Sequence, residues 1–131
     1  MAVTSVRRLR QVALHAADLD RAVAFYRDVL GVPFVARFDP PGLAFFDVGG
    51  VRLLLEAGAP PSLLYLGVDD IAAAHAALGE AGVELVGEPH VIFRDDEGRF
   101  GEPGTEIWQA GFRDSEGNLV LLEEGRAPAT T

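Results

Sequence analysis

From Leu9 to His15 apolar and polar residues alternate loosely, the period of a strand buried on one side. Val12 and Leu14 fall on one face; Gln11, Ala13 and His15 fall on the other. The period then changes. Leu19, Val23, Tyr26 and Leu30 recur at helical spacing, and Ala22, Phe25 and Val29 widen the stripe. Asp18 stands where an N-cap carboxylate accepts a free amide of the first turn. Gly31 can adopt the left-handed conformation that ends a helix, and Pro33 blocks its resumption. Val12 and Leu14 therefore pack beneath the helix, which leaves Gln11, Ala13 and His15 on the opposite face of the sheet.

Three strands follow, at about 33–38, 43–48 and 51–56. "DPPG" at 39–42 is a turn, and Gly49–Gly50 is a two-residue hairpin loop, because glycine supplies the positive φ such loops need. That loop sets Val48 opposite Val51, Asp47 opposite Arg52 as a cross-strand charge pair, Phe45 opposite Leu54, and Leu43 opposite Glu56. After a short linker, "EAGAPPS", the pattern restarts with "LLYLGVDDIAAAHAALGEAGVELV". Asp18 matches Asp69 or Asp70 and Gly31 matches Gly82. The second unit closes with strands near 88–94, 105–112 and 119–124, and "DSEG" at 114–117 is the last hairpin turn. The chain thus reads as strand, helix and three strands, twice over. The fold class is α+β, with module one at about 7–57, module two at about 62–124, and a loose tail over 125–131.

Composition narrows the function classes. The 131 residues suit a single domain, and the 49% hydrophobic content suits a globular one. No apolar run reaches the roughly 18 residues that span a bilayer, and no signal peptide is visible, so a membrane partner is not expected and the location read is cytoplasmic. With no cysteine there is neither a disulfide framework nor thiolate chemistry. Acidic residues number 20 against 11 basic, a net charge of −9. That charge favours solubility, or draws a cationic ligand into an acidic groove. Nucleic acid is not an expected partner, since phosphate binding needs a basic face and only Arg7, Arg8 and Arg10 cluster.

The repeat, together with "DLDRAVAFYRDVLG" and "FRDSEGNLVLLE", resembles the vicinal oxygen chelate superfamily of glyoxalase I, methylmalonyl-CoA epimerase, extradiol dioxygenases and the fosfomycin- and bleomycin-resistance proteins. The resemblance covers residues 9–124. It implies two βαβββ modules in one chain, paired so that their mixed sheets curl into open cups around a ligand, and it implies a homodimer. Metal-dependent members hold their ion from four cup-lining strands. Gln11 matches the first of these places. The other three fall on Leu54, Leu63 and Leu121, where members commonly carry Glu, His and Glu. Leucine has no lone pair to give, so a metal site of the usual kind is not expected and no cofactor is predicted. The alternative is a divalent metal in a shifted site around Gln11 with Glu56, His15 and Glu123.

Without a metal the cup is apolar and aromatic, a composition suited to a small organic ligand oriented by a few polar groups. The first module offers Gln11, Ala13, His15, Leu43, Phe45, Leu54 and Glu56. The second offers Leu63, Tyr65, Trp108, Ala110, Phe112, Leu119 and Leu121, since a turn at Asp114–Gly117 sets Ala110 opposite Leu121 and Trp108 opposite Glu123. Gln11 is either a ligand contact or a partner of a neighbouring side chain. His15 is either a general base or bonded to backbone at the strand end. His75 reads as a helix-surface residue, whereas His90 in "GEPHVIF" matches a place where related members often carry histidine. Trp108 is core filler or a stacking platform for a planar or cationic ligand, and Glu106 on the same strand face can meet a ligand cation. The Gly-rich, charged loop "RDDEGRFGEPGTE" at 94–106 is long for a hairpin and reads either as a mobile loop that covers a site or reaches a partner chain, or as a plain solvated loop. The function expected is a bleomycin-resistance-like binding protein for a small organic molecule. The alternative is a lyase, isomerase or dioxygenase with a non-standard metal site, or with metal-free acid–base chemistry by His15, His90 or Glu56.

Overall fold

In the computed structural model, which describes residues 3–129, the order βαβββ occurs twice. The first unit holds β1 (Gln11–His15), α1 (Leu19–Ala24), β2 (Phe34–Phe38), β3 (Leu43–Val48) and β4 (Val51–Glu56). The second holds β5 (Leu64–Gly67), α2 (Ile71–Glu80), β6 (Leu85–Asp95), β7 (Thr105–Arg113) and β8 (Leu119–Arg126). The chain divides into these two compact units after residue 62. The fold is α+β. No helix among the described residues is long and apolar enough to cross a membrane.

Each helix starts where its aspartate stands. The Asp18 carboxylate accepts the amide of Arg21 at 3.1 Å, and the Asp70 carboxylate accepts that of Ala73 at 3.0 Å. The repeat offset is therefore set by Asp70, with Asp69 outside the cap. After Ala24 the first helix widens into a π-helical turn, Phe25–Val29, in which the Leu30 amide reaches back to the Phe25 carbonyl at 3.0 Å. The wider turn buries Tyr26 completely and leaves Val29 41% exposed, so Val29 does not belong to the buried stripe that helical spacing predicts.

In the first unit the strand order is β1-β4-β3-β2, with β1 and β4 parallel and the other pairs antiparallel. The Gly49–Gly50 hairpin has positive φ at both glycines and sets Val48 opposite Val51, Asp47 opposite Arg52 and Phe45 opposite Leu54, as expected. One face, with Leu14, Ala44, Phe46, Leu53 and Leu55, is buried under the helix, where Tyr26 meets Phe46 at 5.9 Å. The other face carries no helix of this unit and is called the open face below.

The second unit repeats this as β5-β8-β7-β6. Here the structure corrects the expected register. The hairpin loop takes in Asn118: the Asp114 amide donates to the Asn118 carbonyl at 2.9 Å, and Gly117 has φ +84°. Asn118 is buried and ties its amide and side chain to the Asp114 carboxylate, both at 2.8 Å. The loop is thus one residue longer than the Asp114–Gly117 turn. Ala110 pairs with Leu122 instead of Leu121, and Trp108 with Glu124 instead of Glu123. A slip of one residue turns every side chain of β7 to the other face relative to β8.

Two more expectations change. Strand β8 extends to Arg126, so Gly125 and Arg126 belong to the sheet; of the expected tail, residues 130–131 lie outside the described residues. The 94–106 loop is organised by the buried Asp95. Its carboxylate accepts the amides of Arg99 at 2.8 Å and Phe100 at 2.9 Å, and its carbonyl accepts those of Gly98 and Gly104. The Phe100 amide first, and then those of Arg99 and Gly98, hold the Asp95 carboxyl below the usual aspartate range.

Candidate functional site

The candidate site is built from the two open faces, each taken separately. Parallel register places Gln11 beside Arg52, Ala13 beside Leu54 and His15 beside Glu56; across β3, Asp47 stands opposite Arg52 and Phe45 opposite Leu54. Side chains in register share a face. All seven first-module residues expected to line the cup alternate onto this open face, and Arg52 joins them. Phe38, on the bulged edge strand, packs edge-on against Phe45 at 5.9 Å.

Arg52 is the residue that sequence reasoning undervalued. Its Nε donates to Gln11 Oε1 at 3.1 Å. The expected charge pair with Asp47 does not form among the described residues; Asp47 instead accepts the Gly50 amide at 3.2 Å. Gln11 therefore has a protein partner, a guanidinium. His15 Nδ1 lies 3.1 Å from the carbonyls of both Ala57 and Ala59. Carbonyls only accept, so Nδ1 carries the proton, and the ring is held by the chain that leaves β4.

In the second unit Tyr65 registers with Leu121, Gly67 and Gln109 with Glu123, and His90 with Gln109. These residues form its open face. Gln109 Nε2 donates to Glu123 Oε2 at 3.0 Å. His90 Nδ1 donates to the Glu88 carbonyl at 2.7 Å, which ties one ring nitrogen to its own strand. Tyr65 is 56% exposed, and Leu63, just before β5, is exposed as well. His75 is half-buried and reaches the Gly87 carbonyl at 3.2 Å, so it joins α2 to β6 instead of lying free on the helix surface.

Trp108, Ala110, Phe112 and Glu106 leave the expected cup, because the register places them on the helix-bearing face. Phe112 and Ala110 are core residues there. Glu124, in register with Trp108, accepts the Ile71 amide at the start of α2 at 2.8 Å. Its carboxyl is held below the usual range by Arg126 first and by that amide second. The Arg126 guanidinium lies 4.0 Å from the centre of the Trp108 ring. The stacking place expected for a ligand cation is thus filled by the chain's own arginine. Glu106 registers with Arg94 and Arg126, so the cations it faces are also internal. Gln109, missed by the slipped register, takes the place on the open face that Trp108 was expected to hold.

Of the four places that the resemblance assigns to metal ligands, the first is Gln11, whose oxygen accepts from Arg52, and the other three are Leu54, Leu63 and Leu121. Among the described residues no three His, Asp or Glu side chains gather in a way that could hold an ion. Three apolar ligand places and a guanidinium beside the fourth do not fit a divalent cation.

The sequence profile of the Glyoxalase/Bleomycin resistance protein/Dioxygenase superfamily matches residues 8–122. The chain belongs to this superfamily. Solved structures of similar fold agree. One is a lactoylglutathione lyase from Agrobacterium tumefaciens, 24% identical, covering 92% of this chain and 96% of that one, with a TM-score of 0.70. Another is TnmS3, an antibiotic binding protein from Streptomyces sp. CB03234, 22% identical over 93% of this chain and 98% of that one, with a TM-score of 0.73. A third is a glyoxalase/bleomycin resistance protein/dioxygenase from Alicyclobacillus acidocaldarius, 19% identical over 90% and 91%, with a TM-score of 0.65. No curated protein sequence matches the chain. At these identities the likeness establishes the fold, and the superfamily holds both enzymes and binding proteins, so the open-face residues must decide between them.

Proposed function

We propose that this superfamily member binds a small organic molecule on an open sheet face without a metal ion and without transforming it. The observation that supports this reading is the chemistry at the places the resemblance assigns to metal ligands: Leu54, Leu63 and Leu121 stand at three, and at the fourth Gln11 Oε1 accepts from Arg52 Nε at 3.1 Å. An apolar surface with a few oriented polar groups suits ligand binding. Phe45 and Leu54 supply it in the first unit, with Gln11, His15 and Glu56 at its edge. Tyr65 and Leu121 supply it in the second, with His90 nearby. The fold likeness to an antibiotic binding protein supports the same direction. A homodimer in the cytoplasm belongs to this reading, and light scattering on a size-exclusion column tests the dimer.

The functional test is a small-molecule screen by thermal shift and isothermal titration, with mass spectrometry of each bound compound after incubation. The expected result is saturable binding, weakened by Phe45→Ala or Tyr65→Ala, with the compound recovered unchanged. Recovery of a product in metal-depleted buffer would instead establish the enzyme reading, in which His15, His90 or Glu56 moves a proton.

A further inference from the structure

The partners of Arg52 point to the class of ligand. Arg27, Arg37, Arg94, Arg99, Arg113 and Arg126 each lie within 4.0 Å of a carboxylate. Arg52 does not, among the described residues, and neither do Arg7, Arg8 and Arg10 ahead of β1; of these four only Arg52 stands inside a strand, with Asp47 directly opposite on β3. Gln11 holds its Nε, which fixes the guanidinium while leaving the terminal N–H groups, the fork that matches a carboxylate, uncommitted to any acid. One pleat along the same face lie Ala13, Leu54 and Phe45, and Leu54 is only 8% exposed. Two residues along a strand span about 7 Å, roughly the reach from a carboxylate to the far edge of an attached ring.

We infer that the open face of the first unit selects an organic acid: its carboxylate meets Arg52, its apolar or aromatic body lies on Leu54 and Phe45, and Gln11 is the positioning residue. This rests on the small-molecule reading above and reverses the ligand charge that a net charge of −9 suggests. The overall field is acidic, so an anion is accepted only where a local cation outweighs it.

The test uses the full chain and matched carboxylates, carboxamides and amines built on phenyl, naphthyl and indolyl groups, followed by saturation-transfer NMR and isothermal titration. The carboxylates are expected to bind about 10- to 100-fold more tightly than their carboxamides. Arg52→Gln removes that preference, so that carboxylate affinity falls to that of the matched carboxamide. Arg52→Lys restores part of it, and Gln11→Ala lowers carboxylate affinity more than carboxamide affinity. Arg52 is exposed, so these variants fold, and thermal unfolding checks that they do. Equal affinity for carboxylate and carboxamide overturns the inference and leaves the small-molecule reading standing. Tightest binding of the amines also overturns it and assigns a cationic ligand. Failure of every set to bind overturns both.

Discussion

The two units share a frame and differ in what they show on it. Both cap their helix with an aspartate, and both run their first strand parallel to their last. In each, the residue after the last position of the first strand donates its amide to a glutamate carbonyl: Ala16 to Glu56 at 3.0 Å, and Val68 to Glu123 at 2.9 Å. Register then makes Gln11 the counterpart of Leu63, Leu54 of Leu121, and Phe45 of Gly111. The first unit sets an amide against a cation, Gln11 and Arg52; the second sets an amide against an anion, Gln109 and Glu123. The frame is held by caps and buried side chains, which tolerate little change. The open faces carry fewer buried side chains, and there the two units differ in charge and in bulk.

The sharpest way to break that comparison is to cut both faces of one strand. Phe46→Ala, on the helix-bearing face, should cost about 3–5 kcal/mol in chemical denaturation, because its ring is fully buried. Phe45→Ala, one residue away on the open face, should cost clearly less stability while weakening ligand binding. Equal losses would mean that the open face is simply core. The next effect belongs to Gly111. A Cβ there would lie 2.8 Å from the Val86 carbonyl oxygen and 3.0 Å from Leu121 Cδ2. Gly111→Ala should therefore destabilise by about 1–3 kcal/mol, whereas the counterpart position in the first unit holds a phenylalanine. Asp18→Ala and Asp70→Ala should each cost about 1 kcal/mol, and near-equal losses would confirm that the caps are equivalent.

The smallest effect separates the two loops between the third and fourth elements of each unit. In the first unit that connection is the short 39–42 turn; in the second it is the loop built on Asp95. The Asp95 carboxyl lies below its ordinary range in the folded chain, so its contribution is present above the ordinary aspartate value and is lost as pH falls through the lowered folded value. Melting temperatures measured against pH should show Asp95→Asn below the parent at neutral pH, with the gap closing in acid. A gap that stays constant would show that the carboxylate charge is not what holds the loop.

The legible parts of this fold were the local ones. Asp18, Gly31 and the Gly49–Gly50 pair act within a few residues, so both helices, the first hairpin and the repeat followed from spacing. The second hairpin failed on one residue. Asn118 resembles the first residue of a strand, yet its side chain closes the turn on Asp114, and that single step moved Trp108, Ala110 and Phe112 to the helix side and hid Gln109. Arg52 was misassigned for a different reason. Antiparallel register follows from a turn, so Asp47 was visible as its neighbour. Parallel register has no turn to set it, so the Gln11 partner appeared only with β1 laid against β4. The loop around Asp95 likewise depends on backbone amides that composition does not reveal.

The central claim is that the superfamily's metal places have been given up to leucines and to a guanidinium. The most direct measurement is the metal content, by mass spectrometry, of protein purified without chelator and equilibrated with Mn²⁺, Ni²⁺, Zn²⁺ and Fe²⁺. The account predicts far less than one ion per chain, with no difference between the parent and Gln11→Ala. One ion per chain, lost in Gln11→Ala, would contradict it and place a rearranged metal site at Gln11 and Glu56.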